Sequence, residues 1–145
     1  MNETIERFGY PDTLIAEYDY WVVLLRPTQP TLGSLVLAAK GEHRAFSDLP
    51  PPAFEEMHGV IGAIEDALRK AVNYDKINYL MLMMVDPHVH LHVIPRYDGE
   101  RSRGAITLGD PGWPKTPALG EAMTLDPGQI AMLVGWLKEL WPSGR

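Results

Sequence analysis

Three histidines alternate with apolar residues in one short stretch of the chain: His88, His90 and His92. On a β-strand, side chains two positions apart point to the same face, so the three imidazoles form one row and Val89 and Leu91 lie in the opposite row. Neighbouring rings then start about 7 Å apart, twice the strand rise of ~3.3 Å, so two of them can reach one phosphorus atom. We therefore expect the histidine row to face a cleft and the apolar row to face the core.

Imidazole is suited to chemistry at phosphorus. Its ordinary pKa of about 6.5 makes both a neutral nucleophile and a protonated acid accessible near neutral pH. Mutual repulsion should keep at least one of three clustered rings neutral, whereas an anionic phosphate favours protonation of another. Water can break the phosphorus–nitrogen bond that a neutral ring forms. The row therefore indicates covalent catalysis.

Two other interpretations of the histidine row stay open: a purely structural role and a metal site. Pairs of histidines two residues apart bind zinc on β-sheets, and Asp86 or His43 could add a ligand, although neither has diagnostic spacing. The chain has no cysteine and therefore no thiolate ligand. Because the row itself supplies a nucleophile and an acid, we expect activity without a metal or another cofactor.

The composition limits the class of protein and its partners. The chain has 145 residues, 46% hydrophobic and 22% charged, which favours a single folded domain over 1–145. A net charge of −6 leaves no broad basic surface for nucleic acid, so an anionic ligand needs a local positive site. The first ten residues lack the apolar core of a secretory signal, and no apolar stretch approaches the ~20 residues of a membrane span. We therefore expect a cytoplasmic protein without nucleic-acid or membrane partners.

Five apolar runs predict the strands that position the histidines. They cover residues 13–17, 20–25, 33–39, 76–85 and 88–96. The first two are expected to form a hairpin, and 33–39 and 76–85 to be central strands because neither has a polar face. The methionines at 81, 83 and 84 are expected in the core.

Two long helices complete the expected domain. The first begins after Asp48 at prolines 50 to 52 and carries a stripe of apolar residues from 54 to 71. The second begins at Asp126, with Pro127 and Gln129 completing a capping signal, and ends near residue 141. Its apolar residues beyond the core stripe are expected to pack against a second copy of the chain; they are Met132, Trp136 and Trp141.

The run from His88 to Arg96, His-Val-His-Leu-His-Val-Ile-Pro-Arg, resembles the signature of the histidine-triad (HIT) superfamily. Residues 20–27 and 33–40 are similar to the early strands of that family, and 46–49 to its entry into the first helix. Residues 110–114 resemble a tail in some bacterial diadenosine-polyphosphate hydrolase-like members. The resemblance implies an α+β fold with a five-stranded antiparallel sheet and two main helices, usually in a homodimer.

The resemblance also implies hydrolysis or transfer at the α-phosphate of a nucleotide. By position, His90 would be the nucleophile that takes up the nucleotidyl group. His92 would contact the phosphate, and His88 would orient His90 or assist protonation of the leaving group. The expected protein is a nucleotide hydrolase acting on dinucleoside polyphosphates or nucleoside phosphoramidates. The alternatives are a nucleotidyltransferase or phosphorylase, and a nucleotide-binding protein with little turnover.

Substrate-binding residues follow from the same resemblance. The base would lie in an apolar cleft lined by Leu24 and Val36, with Arg26 at a position where relatives often hold the ribose. Arg96 is a candidate for charge on the phosphate side, and Trp113 for stacking on a base.

The chain departs from the family pattern in the link before the triad. Relatives have a glycine-containing loop there that ends in a polar residue able to contact phosphate. Here the link is shorter and has no glycine, with Met84 and Val85 near the polar positions. Glu42 and Ser34 stand where many relatives have histidine, and His43 lies one residue beyond.

Overall fold

The computed structural model describes residues 1–144. In chain order its helices and strands are α1 (Glu3–Arg7), β1 (Leu14–Glu17), β2 (Trp21–Leu25), β3 (Thr28–Gln29), β4 (Leu35–Ala39), α2 (Pro51–Val72), β5 (Lys76–Leu80), β6 (His90–Arg96), β7 (Glu100–Arg103), β8 (Ile106–Gly109), β9 (Met123–Thr124) and α3 (Pro127–Leu140). Five strands form an antiparallel sheet in the order β1-β2-β4-β6-β5, and two small ladders join β3 with β9 and β7 with β8. The predicted α+β fold with two main helices is confirmed.

The main core lies between one face of the sheet and the two long helices. Trp21 and Val23 of β2 contribute to it, as does the apolar row of Val89, Leu91 and Val93. The indole N–H of Trp21 donates to the carbonyl of Ala53 at 2.7 Å, which ties the sheet to α2. The apolar row therefore faces the core, as predicted, and directs the histidines to the other face. Within residues 1–144 no helix combines the length and apolar character needed to cross a bilayer.

Both predicted helix starts are confirmed. Proline occupies the first turn of α2, where its missing N–H removes no helical hydrogen bond. At α3, the carboxylate of Asp126 accepts from the backbone N–H of Gln129, and the Gln129 side chain accepts from the Asp126 N–H. This capping box satisfies two backbone donors that the helix itself leaves unpaired.

The fourth predicted strand is wrong in length and in place. β5 ends at Leu80, which lies opposite His92, and it forms an edge of the sheet. Residues 81–89 must then bring the chain back to the start of β6 at His90, so they form a loop. Met84 and Val85 are 86% and 84% exposed, which corrects the expectation that Met84 packs in the core. The apolar run continues to Val85 although the strand ends at Leu80, so apolar composition alone does not predict the end of the strand.

The apolar residues of α3 pack within the chain. Trp136 is buried in the main core, and the Trp141 indole N–H donates to the Tyr18 hydroxyl at 2.8 Å. Met132 is partly buried against the same core. Burial of Trp136 in the chain's own core corrects its expected role in packing against a second copy. Met132 and Trp141 are partly exposed, and their packing against a second copy stays a prediction.

The short helix α1 was not predicted, and it covers part of the opposite face of the sheet. The Asn2 side chain caps α1 by accepting from Ile5 N–H, and its amide donates to the carbonyls of Ala39 and Gly41. Ile5 then packs in a second apolar cluster with Val22, Leu24, Val36 and Ala38. This face is the one that carries the histidines.

Candidate active site

The central strand β6 fixes two imidazoles side by side. His90 pairs with Ala38 of β4, and His92 lies between Val36 of β4 and Leu80 of β5. Their ring centroids are 5.2 Å apart and the rings are nearly perpendicular, at 77°. Because β4 and β5 pair with β6 on its two sides, the backbone that carries both rings is fixed and the rings stay next to each other.

The hydrogen bond of His90 defines its tautomer. Nδ1 of His90 lies 2.7 Å from the backbone carbonyl of His88. A carbonyl oxygen only accepts, so Nδ1 carries the proton and, in the neutral ring, Nε2 keeps its lone pair. The Phe8 ring, 5.5 Å away between centroids, packs against the imidazole. The neutral His90 ring thus has its unprotonated nitrogen at Nε2, which is the atom that a nucleophilic role requires.

His92 is held in the other tautomer. The Nε–H of Arg26 donates to His92 Nδ1 at 3.3 Å, so a neutral His92 carries its proton on Nε2 and presents a donor. Burial, with smaller contributions from the positive charge of Arg26 and from the neighbouring His90, lowers the pKa of His92 to about 4. His92 therefore acts near neutral pH as an uncharged hydrogen-bond donor.

The low pKa of His92 predicts a specific loss of stability in mild acid. In the unfolded chain His92 takes up a proton near pH 6.5, whereas in the folded chain it does so only near pH 4. Its contribution to stability is therefore complete above pH 6.5 and is lost as the pH falls towards 4. Between pH 7 and 5, the free energy of unfolding should fall by roughly 1–2 kcal/mol more in the native protein than in His92→Gln. Denaturant titrations at the two pH values measure this difference, and equal pH slopes would contradict the assignment.

His88 precedes β6, which begins at His90, so the predicted strand starts two residues later than expected and His88 does not line the cavity with the other two histidines. The Thr4 hydroxyl is 2.8 Å from Nδ1 of His88 and also accepts from its backbone N–H, while Nε2 lies 3.3 Å from a carboxylate oxygen of Glu42. The carboxylate accepts, so Nε2 carries the proton and Thr4 donates to Nδ1. Both ring nitrogens of His88 are engaged and its carbonyl accepts from His90, so His88 fixes the orientation of the His90 ring.

A cavity of about 220 Å³ opens over His90 and His92. Its lining consists of Phe8, Arg26, Leu82, Met83, Met84, Val85, Asp86, His90 and His92. Arg26 is the unpaired charge: its guanidinium bonds to His92 and to two oxygens of Thr28, and among residues 1–144 it forms no ion pair with a carboxylate. Burial lowers the pKa of Arg26. A partly buried guanidinium without a counter-charge is stabilised by an anion, so Arg26 is the candidate within this cavity for the local positive site expected from the sequence.

Comparison of the sequence with models of known protein families identifies the family of this chain. Residues 8–99 match the HIT domain model, and this range includes the three histidines and Arg26. The chain belongs to the HIT family. HIT proteins bind nucleotides and are generally nucleotide hydrolases or transferases. A search of curated protein sequences finds no match.

Solved HIT structures share the fold over nearly the whole chain. A histidine triad protein from Sinorhizobium meliloti is 22% identical, with a TM-score of 0.74 over 97% of this chain and 95% of its own. One from Marinobacter aquaeolei is 25% identical, with a TM-score of 0.72 over 94% and 93%. A zinc-bound HIT family protein from Mycobacterium smegmatis is 22% identical, with a TM-score of 0.59 over 94% and 91%.

The other predicted substrate-binding residues of this HIT protein lie outside the cavity. Leu24 and Val36 are fully buried in the apolar cluster beneath Ile5 and Phe8, so α1 occupies the face where the base was expected. Arg96 and Trp113 line a separate cavity of about 340 Å³.

Arg96 is also already neutralised. Its guanidinium forms an ion pair with Asp110 at 2.7 Å and donates to Asn78. The structure therefore brings Arg26 together with His90 and His92, but not these four residues.

Two residues of the site were missed in the sequence. Thr4, which holds His88, and Phe8, which packs on His90 and His92, both belong to the polar N-terminal stretch. Asn2 as a helix cap and the Glu3–Arg7 pair at helical spacing indicate a short helix there. No local pattern indicates that this helix docks beside a strand more than eighty positions further along the chain.

The triad is expected to work without a metal. Among the described residues, no group of three or more histidine, aspartate or glutamate side chains is placed to hold an ion. Because the lone pair of His90 Nε2 supplies the nucleophile, nucleotide turnover should be unchanged after dialysis against a chelator, measured as nucleoside monophosphate released. Activity that disappears and returns only with added zinc would instead assign the histidines to a metal centre, and the Mycobacterium smegmatis protein is a suitable comparison.

Proposed function

We propose that this HIT protein hydrolyses nucleoside phosphate linkages at the α-phosphate through a nucleotidyl group on His90. The substrate class is dinucleoside polyphosphates or nucleoside phosphoramidates. The observation that carries the proposal is that one cavity is lined both by His90, whose Nε2 has a lone pair, and by Arg26, whose guanidinium has no carboxylate partner among residues 1–144. A nucleophile and an anion site within one small cavity are what attack on a phosphate requires.

The reaction takes two steps. His90 Nε2 attacks the α-phosphorus, and the bond to the leaving group breaks, so that the leaving group departs with the electron pair and takes a proton from water. His92 Nε2–H and Arg26 donate to the phosphoryl oxygens as negative charge develops. Water then attacks phosphorus and loses a proton, and the bond to His90 breaks to release the nucleoside monophosphate. His88 holds His90 in the same tautomer throughout.

A nucleotide-binding protein with little turnover is the second candidate. The observation that favours it is the loop 81–89, which brings the apolar side chains of residues 82–85 and the carboxylate of Asp86 to the cavity. A transferase or phosphorylase uses the same first step and differs only in the acceptor that resolves the intermediate.

Product analysis in water labelled with heavy oxygen separates these functions. The protein is incubated with diadenosine polyphosphates and with adenosine phosphoramidate, in buffers with and without inorganic phosphate. A hydrolase incorporates the label into the phosphate of the adenosine monophosphate that it releases. Adenosine diphosphate formed only in phosphate buffer would identify a phosphorylase, and tight binding without product would identify the binding protein.

A homodimer, expected from the family resemblance, remains part of the proposal, as does a cytoplasmic location. Sedimentation at micromolar concentration should give twice the chain mass of 16.2 kDa. A species of 16.2 kDa at the same concentration would contradict the dimer but not the chemistry, because the described cavity is built within one chain.

A further inference from the structure

The loop between β5 and the triad exposes apolar side chains at the mouth of the catalytic cavity. Met84 and Val85 are 86% and 84% exposed, more than any other large apolar side chain in residues 1–144, and Leu82 is 47% exposed. All three line the cavity that contains His90 and His92. Residues 82–85, here termed the apolar loop, thus present uncovered hydrophobic surface at the position of the reaction.

The sheet order places the apolar loop on one side of the two imidazoles and Arg26 on the other. β5, which ends in this loop, is the neighbour of β6 on one side, whereas β4 and then β2, after which Arg26 follows, lie on the other. Phe8 packs on both imidazole rings and also lines the cavity. A phosphorus atom over His90 therefore has a cationic side and an apolar side, with one substituent towards each.

The charges on the apolar side disfavour a polyphosphate there. The charged group of the cavity on this side is Asp86, whose carboxylate forms an ion pair with Arg7 at 3.2 Å. Arg7 also pairs with Glu3, so its charge is already shared between two carboxylates. A leaving group with several negative charges would meet apolar surface and a carboxylate, both of which raise its free energy. An uncharged apolar group would instead cover the exposed loop.

We propose that the apolar loop is a leaving-group subsite, and that the substrate is a nucleoside monophosphate whose phosphorus carries an apolar organic group. This inference rests on the proposed function and selects the phosphoramidate side of it. For an alkyl amide, His90 Nε2 bonds to phosphorus and the phosphorus–nitrogen bond to the amine breaks. The amine takes one proton from solvent, and the water that later hydrolyses the intermediate returns one. The net reaction consumes one water and yields an amine and a nucleoside monophosphate.

Two adenosine phosphoramidates test the subsite, one made with hexylamine and one with methylamine. The two amines have nearly equal basicity, so a difference in kcat/KM reports contacts of the alkyl chain. Burial of only two or three methylene groups against the loop should favour the hexyl compound by about 10-fold or more. Met84→Ser/Val85→Ser should remove this preference, so that the ratio of kcat/KM for the hexyl compound to that for the methyl compound falls to about one. These exposed side chains contribute little to folding, so the variant should remain folded.

The matched control is Phe46→Ser. Phe46 is also an exposed apolar residue, at 42%, but it packs on Phe54 away from the cavity. This variant should keep the full preference for the hexyl compound.

Each other outcome decides the point. Equal kcat/KM for the two amides in the native protein overturns the subsite and leaves the hydrolase proposal standing. If neither amide is cleaved, the phosphoramidate part of the hydrolase proposal fails, whether or not diadenosine polyphosphates are cleaved. Calorimetry then decides the subsite: tighter binding of the hexyl compound supports it and equal affinities overturn it. If the double variant changes the sedimentation of the protein, the loop is a contact between copies and the proposal is wrong. If it alters the choice between adenine and uracil amides instead, the loop contacts the base and the proposal is equally wrong.

Discussion

Replacement of His90 by alanine is expected to lower kcat for nucleotide cleavage by about 10⁴-fold or more, because it removes the atom that forms the covalent intermediate. The mass of native protein quenched during turnover should increase by one nucleotidyl group, located on the peptide that contains His90. The variant should show no such increase. His58→Ala is the matched control, since His58 is exposed on α2 and lies outside the cavity, and it should keep full activity.

The structure also shows what this substitution does to stability. His90 is 2% exposed and its Nδ1–H satisfies the His88 carbonyl. Alanine leaves that carbonyl without its partner, at a cost of about 1–3 kcal/mol. His90→Asn retains a side-chain N–H for the carbonyl and lacks the nucleophile, so it should be more stable than His90→Ala and equally inactive. If either folded variant cleaves the substrates at the native rate, the covalent mechanism is wrong.

The part of the site that could be predicted depends on local periodicity. The alternation of His88, His90 and His92 with apolar residues predicts imidazoles on one face of a strand, because the strand repeat is two, and β6 carries His90 and His92 in this way. The capping residues of α2 and α3 fix where those helices begin for similarly local reasons. Arg26 was recognised only through the family resemblance, since a single arginine after an apolar strand carries no signal of its own.

The remainder of the site depends on contacts between distant segments. Asn2 bonds to the carbonyls of Ala39 and Gly41, and Thr4 bonds to His88, so α1 is positioned by partners that no short window of sequence contains. The same helix buries Leu24 and Val36, which the strand pattern alone leaves available as a cleft. The apolar loop was mistaken for the end of a strand, because a run of apolar residues has the same composition whether it faces a core or lines a cavity.

Arg26 carries the second large expected effect. Arg26→Gln removes the positive charge beside His92 and should lower kcat/KM by about 10²–10³-fold, since a donor aimed at developing phosphoryl charge is lost. The affinity for adenosine monophosphate, measured by calorimetry, should fall by about 10- to 100-fold. Arg26→Lys restores the charge but not the Nε–H to His92, so it should recover part of both quantities. Arg103→Gln, which removes a guanidinium that lies 5.1 Å from the Trp136 ring, is the control and should change neither.

Arg26→Gln also distinguishes a role of Arg26 in binding the anion from a purely structural role. Arg26 bonds to Thr28, so a purely structural role would lower stability and leave affinity for the monophosphate unchanged in the folded fraction. Arg26 also lowers the pKa of His92 through its charge, after the larger effect of burial. Arg26→Gln should therefore raise the pKa of His92, followed by NMR of the imidazole, and reduce the loss of stability between pH 7 and 5. Unchanged affinity and an unchanged His92 titration would together show that the guanidinium stabilises the segment around Thr28 and does not bind the substrate. A joint change in both would show that one positive charge sets the protonation of His92 and binds the phosphate.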